Sequence, residues 1–439
     1  MRKTLFAAGK IPLHWKILIG MAAGVGFGLL AIQFGWSAFT TDWVKPFGTI
    51  FINLLKLIAI PLIIVSLISG VSGLNDVSKL SKMGLKTIGL YLFTTVVAIS
   101  TGLIMVNMIR PGKILPADKA LEFQHKFASG IESQNLEEPL TKGPLQFLVD
   151  IVPSNIFEAL TNNASMLQVI FFALIFGIAL IMLPSEKTRA TKDLIDSLNE
   201  IVMKMIHLVM LLAPYGVFAL IAALMSDVAG TNPDDTIALF GSLGLYALTV
   251  IIGLIVVVFL IYPVLISLLT RISFRQFLRG MAPAQLLAFS TSSSAATLPM
   301  TMECVEENLG VKKEVSSFVL PLGATINMDG TSLYQAVAAV FIAQIYGMDL
   351  TFGQQLTIIL TATMASIGSA AVPGAGMIML VIVLTSVGIP TEGIALIFAV
   401  DRPLDMLRTV VNITGDAMIS CLVATSANTI ETPEPKPDL

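Results

Sequence analysis

The 439-residue sequence is poor in charge, in cysteine and in histidine. Asp, Glu, Lys and Arg make up 13% of it, against roughly 25% in a soluble globular protein. That scarcity excludes a disordered chain and an ordinary soluble enzyme, whose surface needs far more charged side chains. Only Cys304 and Cys421 occur, which excludes a disulfide framework and a Cys-based zinc site. His14, His125 and His207 are far apart and have no metal-ligand spacing. The net charge of −3 leaves no basic field for nucleic acid. What is abundant is apolar surface: 55% hydrophobic residues and a mean hydropathy of +0.86. Such a surface faces lipid.

A helix needs about 20 apolar residues to cross a bilayer. The first such run covers 15–34, after a basic arm with Arg2, Lys3, Lys10 and Lys16. Trp15 and Trp36 suit the two interfaces of this span, being about 32 Å apart at 1.5 Å per residue. Further runs lie at about 47–73, 84–110, 145–183, 199–226 and 236–270, with Pro153, Pro214 and Pro263 as candidate kinks. The segment 113–144 is charged and reads as an aqueous loop, and the Pro-rich tail 429–439 reads as disordered. Lys79, Lys82 and Lys86 in one turn and Arg271, Arg275 and Arg279 in another contrast with Asp227, Asp234 and Asp235 in a third. The basic turns are expected on the cytoplasmic side of a cell membrane, with both termini.

The last 160 residues do not read as plain crossings. Small hydroxyl residues crowd 290–299. Asn327, Asp329 and two glycines interrupt 323–331. Gly and Pro interrupt 366–376, and 401–416 carries three Asp and two Arg. Irregular backbone at membrane depth survives only when buried in protein or lining a cavity. Small residues also serve plain helix packing, but four such segments together point to a transporter site. They suggest a unit of re-entrant hairpin plus span used twice, 275–308 with 311–346 and 352–388 with 391–428. Projected at about 100° per residue, Asp405, Arg408, Thr409, Asn412 and Asp416 share one face about 100° wide, which Asp401 extends. An i,i+3 pair of Asp405 and Arg408 could simply neutralise both; it leaves Asn412 and Asp416 unexplained. The Arg408 fork suits a carboxylate, Asp405 suits an ammonium, and helix N-termini at the tips favour anions. Asp329 and Asp416 with nearby carbonyls suit Na⁺. There is no nucleotide-binding loop and no cofactor is expected, so an ion gradient is the expected driving force.

These motifs resemble the glutamate transporter family, the dicarboxylate/amino acid:cation symporters. The matching pieces are the Ser-rich stretch ending at Thr297 and Pro299, the run 327–331, the run 372–376, and Asp405, Arg408, Thr409, Asn412, Gly415 and Asp416. The resemblance implies an all-α integral membrane protein of eight transmembrane helices plus two re-entrant helical hairpins, built on inverted repeats and working as an elevator in a homotrimer. It implies a scaffold of 1–83 and 145–232, and a transport domain of 84–112 and 233–428, with the second hairpin as gate. It implies that Arg408, helped by Thr331, holds a side-chain carboxylate and that Asp405 takes the amino group. Ser293, Ser294, Thr409 and Asn412 hold the main-chain groups, and Val372, Pro373 and Gly376 close the gate side. Up to three Na⁺ sites follow: Asp416 with carbonyls of Gly323, Asn327 and Asn412; carbonyls of Thr325, Ser366, Ile367 and Ser369; and Asp329 with Asn327, Tyr91, Thr94 and Thr95.

The sequence departs from the family at two points. An Arg that relatives carry at the first hairpin tip or beside the ammonium-binding Asp is replaced here by Ser292 and Met406; Arg402, one turn earlier, is a candidate substitute. Gln335 stands where animal members have a proton-carrying Glu, which argues against their proton-plus-potassium cycle. The implied function is Na⁺-coupled symport of L-aspartate and/or L-glutamate; the alternative is a proton-coupled glutamate/aspartate or C4-dicarboxylate symporter. An intramembrane serine hydrolase lacks a base near Ser292–Ser294, and a channel has no need of an ammonium-binding Asp405.

Overall fold

The computed structural model describes residues 13–72, 83–114, 149, 152–161, 165–228, 233–367, 369, 371 and 373–426. The basic arm through Lys10, Lys79 and Lys82, most of the 113–144 segment, Val372 and the 429–439 tail lie outside the described residues. Every regular element among the described residues is a helix, as the apolar runs require.

The first helix, α1 (Leu13–Gln33), stops short of Trp36, because Gly35 turns the chain at φ +69°. Next come α2 (Lys45–Ser72) and α3 (Met83–Ile109). A short turn, Pro111–Ile114, runs into the stretch expected as loop; Gly112 N–H there donates to Gln344 at 3.0 Å and Lys113 pairs with Asp349 at 3.2 Å. The run expected at 145–183 is α4 (Ile156–Thr161) and α5 (Met166–Met182), and Pro153 precedes α4 rather than kinking a helix. The next helix, α6 (Ser185–Val228), has 44 residues, longer than the expected 199–226. Its first turns carry Glu186, Lys187, Arg189, Lys192 and Asp193, good helix formers that a hydropathy reading passes over. Pro214 lies inside α6. Then α7 (Pro233–Val256) widens into a π-turn, Val257–Ile261, before α8 (Tyr262–Leu269). The wider turn accommodates Pro263, which has no N–H to donate.

Two pairs of helices follow, each leading to a longer element. The first pair is α9 (Phe274–Thr291) and α10 (Ser294–Glu303), packed together and followed by α11 (Lys313–Ile326) and α12 (Asp329–Ile345). The second is α13 (Phe352–Ile367) and α14 (Ala375–Ser386), also packed together, followed by α15 (Ile394–Ser426). The first long element breaks at 327–328; the second runs unbroken for 33 residues despite Pro403. Among the described residues, five helical stretches are long and apolar enough to cross a membrane: Ser37–Ser69, Met83–Ile114, Ser185–Ala223, Phe240–Leu269 and Val400–Ser426. Ile19–Gln33, Gln168–Met182 and Ala375–Ser386 are apolar but shorter. The most apolar part of Val400–Ser426 is 83% buried in the protein, against 44–50% for the other four, so α15 is surrounded by protein rather than lipid.

Packing follows two groupings. Helices α1, α2, α5 and α6 lie on one another, whereas α15 is wrapped by α7, α9, α11 and α12, with α3 against α12. The groups touch where α2 meets α14 and α6 meets α15. Lys56 on α2 pairs with Glu392, just before α15, at 3.3 Å. The α1–α6 contact is made by a glycine row that the sequence reading passed over. A Cβ at Gly20 or Gly24 would lie 2.3 Å from the Pro214 carbonyl oxygen or 2.7 Å from that of Phe218. Small residues at this spacing let two backbones approach closely. Gly24→Leu is expected to force α1 off α6 and cost about 1–3 kcal/mol, visible as a lower thermal unfolding midpoint in detergent.

Candidate functional site

The site is organised by one face of α15. Successive turns of an unbroken helix stack Asp401, Asp405 and Arg408 above one another. Arg408 is fully buried. Its Nε donates to Asp405 Oδ1 at 2.9 Å and its Nη1 to Asp401 Oδ1 at 3.0 Å. Its Nη2 lies 2.8 Å from Asp405 Oδ1 but makes no aligned hydrogen bond, so part of the fork remains available. The guanidinium also stacks 4.1 Å from the centre of the Tyr334 ring. The i,i+3 neutralisation that the sequence allowed is therefore present, and Asp401 adds a second carboxylate. Asp405 Oδ2 accepts from Arg402 Nη1 at 3.3 Å and from Gly374 N–H at 3.2 Å.

Three helix interruptions converge beside this face. Ser292 takes a left-handed conformation, φ +52°, and ends α9. Ser293 caps α10 by accepting from Ala296 N–H at 3.2 Å, and its hydroxyl donates to the Ala371 carbonyl at 2.7 Å. That bond joins the turn between α9 and α10 to the turn between α13 and α14. At the third interruption, Ser366 accepts from Met328 N–H at 3.0 Å and donates to the Ile326 carbonyl at 2.9 Å. Asn412 caps α12: its Oδ1 accepts from Gly330 N–H at 2.8 Å, and its Nδ2 donates to Thr331 at 3.1 Å. A Cβ on Gly330 would lie 2.5 Å from the Arg408 carbonyl, so only glycine allows this approach of α12 to α15.

Ser294, Thr331, Gly376, Asp405, Thr409 and Asn412 line one narrow cleft, as the motif reading expects of a shared pocket. The cleft has only ≈10 Å³ of free room. Thr409 donates to the Asp405 carbonyl at 2.7 Å. Pro373 lines a different and larger cavity of ≈660 Å³. That cavity lies between α1 and α6 on one side and α15 with the α13–α14 turn on the other, and Asp405 belongs to both spaces.

Two further carboxylates lie deep in the same bundle. Asp329 accepts from Thr95 at 2.8 Å, Thr94 at 3.3 Å and Tyr262 at 2.8 Å. Asp416 accepts from Asn327 Nδ2 at 2.8 Å, and Thr94 lies 3.4 Å from Asn327 Oδ1. Tyr91 donates to the Val319 carbonyl at 2.8 Å and crowds Gly323, where a Cβ would lie 2.5 Å from both the Tyr91 hydroxyl and Asp416 Oδ1. Both carboxylates are buried, and neither has an Arg or Lys partner among the described residues. The third expected group calls on main-chain carbonyls rather than side chains. Ser369 is buried with an unpartnered hydroxyl, while the Thr325 hydroxyl bonds back to the Leu322 carbonyl at 2.9 Å. Sequence reasoning gave no role to Tyr262 or Tyr334, which reach the site from other elements without a local signal. It placed Asp401 on the face but not on Arg408.

A profile of the sodium:dicarboxylate symporter family matches residues 13–426. Excitatory amino acid transporter 1 of Ambystoma tigrinum is 37% identical over 414 residues, covering 84% of this chain and 75% of that protein. Excitatory amino acid transporter 1 of Homo sapiens is 41% identical over 342 residues, covering 71% of this chain and 62% of that protein. The proton/sodium-glutamate symport protein of Geobacillus stearothermophilus is 37% identical over 419 residues, covering 94% of each chain.

Removing one partner of a buried ion pair strands the other charge. Asp401→Ala is expected to cost about 3–5 kcal/mol in unfolding experiments. Arg189→Ala at the exposed end of α6, which loses only a 4.0 Å surface pair with Asp193, is expected to cost under ~1 kcal/mol.

Proposed function

The chain belongs to the sodium:dicarboxylate symporter family, and we propose that it is a Na⁺-coupled symporter of L-aspartate and/or L-glutamate. It is an integral membrane protein and not an enzyme, since its relatives are transporters.

The observation that carries the proposal is the charge layout. The buried Arg408 guanidinium lies against the cleft-lining Gly376, where a Cβ would be 3.2 Å from its Nη2, while among the described residues the buried carboxylates Asp329 and Asp416 have only hydroxyl and amide partners. A guanidinium fork suits the substrate side-chain carboxylate, and Asp405 suits its ammonium. Thr331, Thr409, Asn412, Ser293 and Ser294 supply hydroxyl and amide groups for the rest, with Val372, Pro373 and Gly376 on the gate side. Unpaired carboxylates in a water-poor bundle call for cations. We place one Na⁺ by Asp416 with Gly323, Asn327 and Asn412, and one by Asp329 with Tyr91, Thr94, Thr95 and Asn327. A third would use Thr325, Ser366, Ile367 and Ser369.

The same proposal extends to the moving parts. The α9–α10 and α13–α14 pairs are read as re-entrant hairpins, the second as gate. The grouping of α1, α2, α5 and α6 supports a scaffold (1–83 and 145–232), with 84–112 and 233–428 as an elevator domain. Exposed apolar side chains such as Leu57, Ile178 and Leu211 suit lipid or the partner copies of a homotrimer. Both termini are read as cytoplasmic.

Uptake of labelled L-aspartate into proteoliposomes tests the reading. An imposed Na⁺ gradient is expected to drive accumulation. Uptake that ignores Na⁺ and collapses with a protonophore would instead favour proton coupling, which the Geobacillus relative's name includes. Arg408→Ala is expected to lose ~10–100-fold in affinity for L-aspartate, as a charge-assisted hydrogen bond of ~1.5–3 kcal/mol is removed. Calorimetry in Na⁺ buffer reads it, and unchanged affinity would refute the role of Arg408. L-Aspartate and L-glutamate differ by one methylene, worth ~1–3 kcal/mol, and the same calorimetry ranks them.

A further inference from the structure

Both carboxylate oxygens of Asp405 already accept hydrogen bonds. Oδ1 receives the Arg408 Nε, and Oδ2 receives both Arg402 Nη1 at 3.3 Å and the Gly374 amide at 3.2 Å. The oxygen that an incoming ammonium needs is thus held by a second cation of the chain itself. Arg402 differs from Arg408 in how firmly it is held. Its ion pair with Asp405 is longer than those of Arg408, its Nε is buried without a partner, and its side chain is 19% exposed, against none for Arg408. It also lines the ≈660 Å³ cavity, which gives the guanidinium somewhere to go, with the exposed Glu200 carboxylate of α6 on the cavity's far wall. Arg408, clamped between Asp401 and Asp405, has no such exit.

We infer that Arg402 is a specificity-determining residue that stands in for the ligand's ammonium at Asp405. The inference rests on the proposed binding of acidic amino acids in the cleft. A ligand with an ammonium displaces the Arg402 guanidinium from Asp405 Oδ2 into the cavity and works against that pairing. A ligand with two carboxylates and no amine leaves Arg402 in place, so its second carboxylate meets an already neutralised Asp405. Arg402 therefore narrows the preference for amino acids over amine-free dicarboxylates. Gly374 ties this exchange to the α13–α14 turn. Its N–H shares the same carboxylate oxygen, and its φ of +82° suits glycine alone. Releasing or regripping Oδ2 thus bears directly on the turn that carries Pro373 and Gly376.

The test compares wild type, Arg402→Gln and Arg402→Lys, each checked for an intact melting transition, by calorimetry with L-aspartate and with succinate in Na⁺ buffer. Arg402→Gln is expected to bind L-aspartate ~5-fold more tightly, since a weak, partly exposed ion pair no longer competes. It is expected to bind succinate ~10-fold more weakly, since Asp405 is left with one fewer counter-charge. Arg402→Lys retains the charge and is expected to return the aspartate-to-succinate ratio toward wild type, which a merely structural role does not predict. An unchanged ratio in Arg402→Gln, with L-aspartate still bound, overturns the inference and leaves the proposed function standing. Absence of L-aspartate binding in wild type overturns both.

Discussion

A fully buried guanidinium in a chain whose surface is mostly apolar constrains everything around it. Arg408 can be tolerated only with counter-charges at hydrogen-bond distance. Asp405 and Asp401 supply them from the same helix, one and two turns away, and Tyr334 adds a ring face. That arrangement requires α15 to stay helical through Pro403 and to lie inside the bundle rather than against lipid. It also requires α12 to come very close, which Gly330 allows. The packing of α7, α9, α11 and α12 around α15 follows from the need to shield this charge cluster.

The second constraint is the backbone. Each interrupted helix frees N–H and C=O groups that an apolar interior does not satisfy. The interruptions satisfy one another. Ser293 bonds to the Ala371 carbonyl, Ser366 serves both sides of the break at 327–328, and Asn412 caps the start of α12. Small hydroxyl and amide residues are therefore placed where the backbone is open. Asn412 also lines the cleft, so at that residue the polar lining of the site and the repair of a broken helix have one origin. Asp329 and Asp416 differ in kind: their hydrogen bonds come from neutral groups.

Much of this was legible because membrane sequences are restrictive. Long apolar runs marked most helices, and the polar exceptions at 290–299, 323–331, 366–376 and 401–416 marked the breaks and the charged face. Helical periodicity alone put Asp401, Asp405, Arg408, Asn412 and Asp416 on one side of α15. Other features were not legible, for identifiable reasons. The charged start of α6 is helical, yet hydropathy is blind to it. Gly20 and Gly24 looked like ordinary small residues until the backbone of α6 was set against them. Tyr262 carries no local sign of reaching Asp329, which is 67 positions away in sequence.

The division between sequence and tertiary structure follows the range of each interaction. Composition, apolar length and helical period act within one segment, so the sequence by itself determined an all-helical chain with a rare cluster of intramembrane charges. Arg402 and Arg408 find their carboxylates on their own helix, but the other partners of the site come from segments distant in the chain. Only folding brings Gly374 to the Asp405 oxygen that Arg402 holds, sets the Tyr334 ring on Arg408, and surrounds Asp329 with Thr94, Thr95 and Tyr262. A carboxylate's partner is set by distances of about 3 Å, and no spacing along the chain specifies those between separate helices.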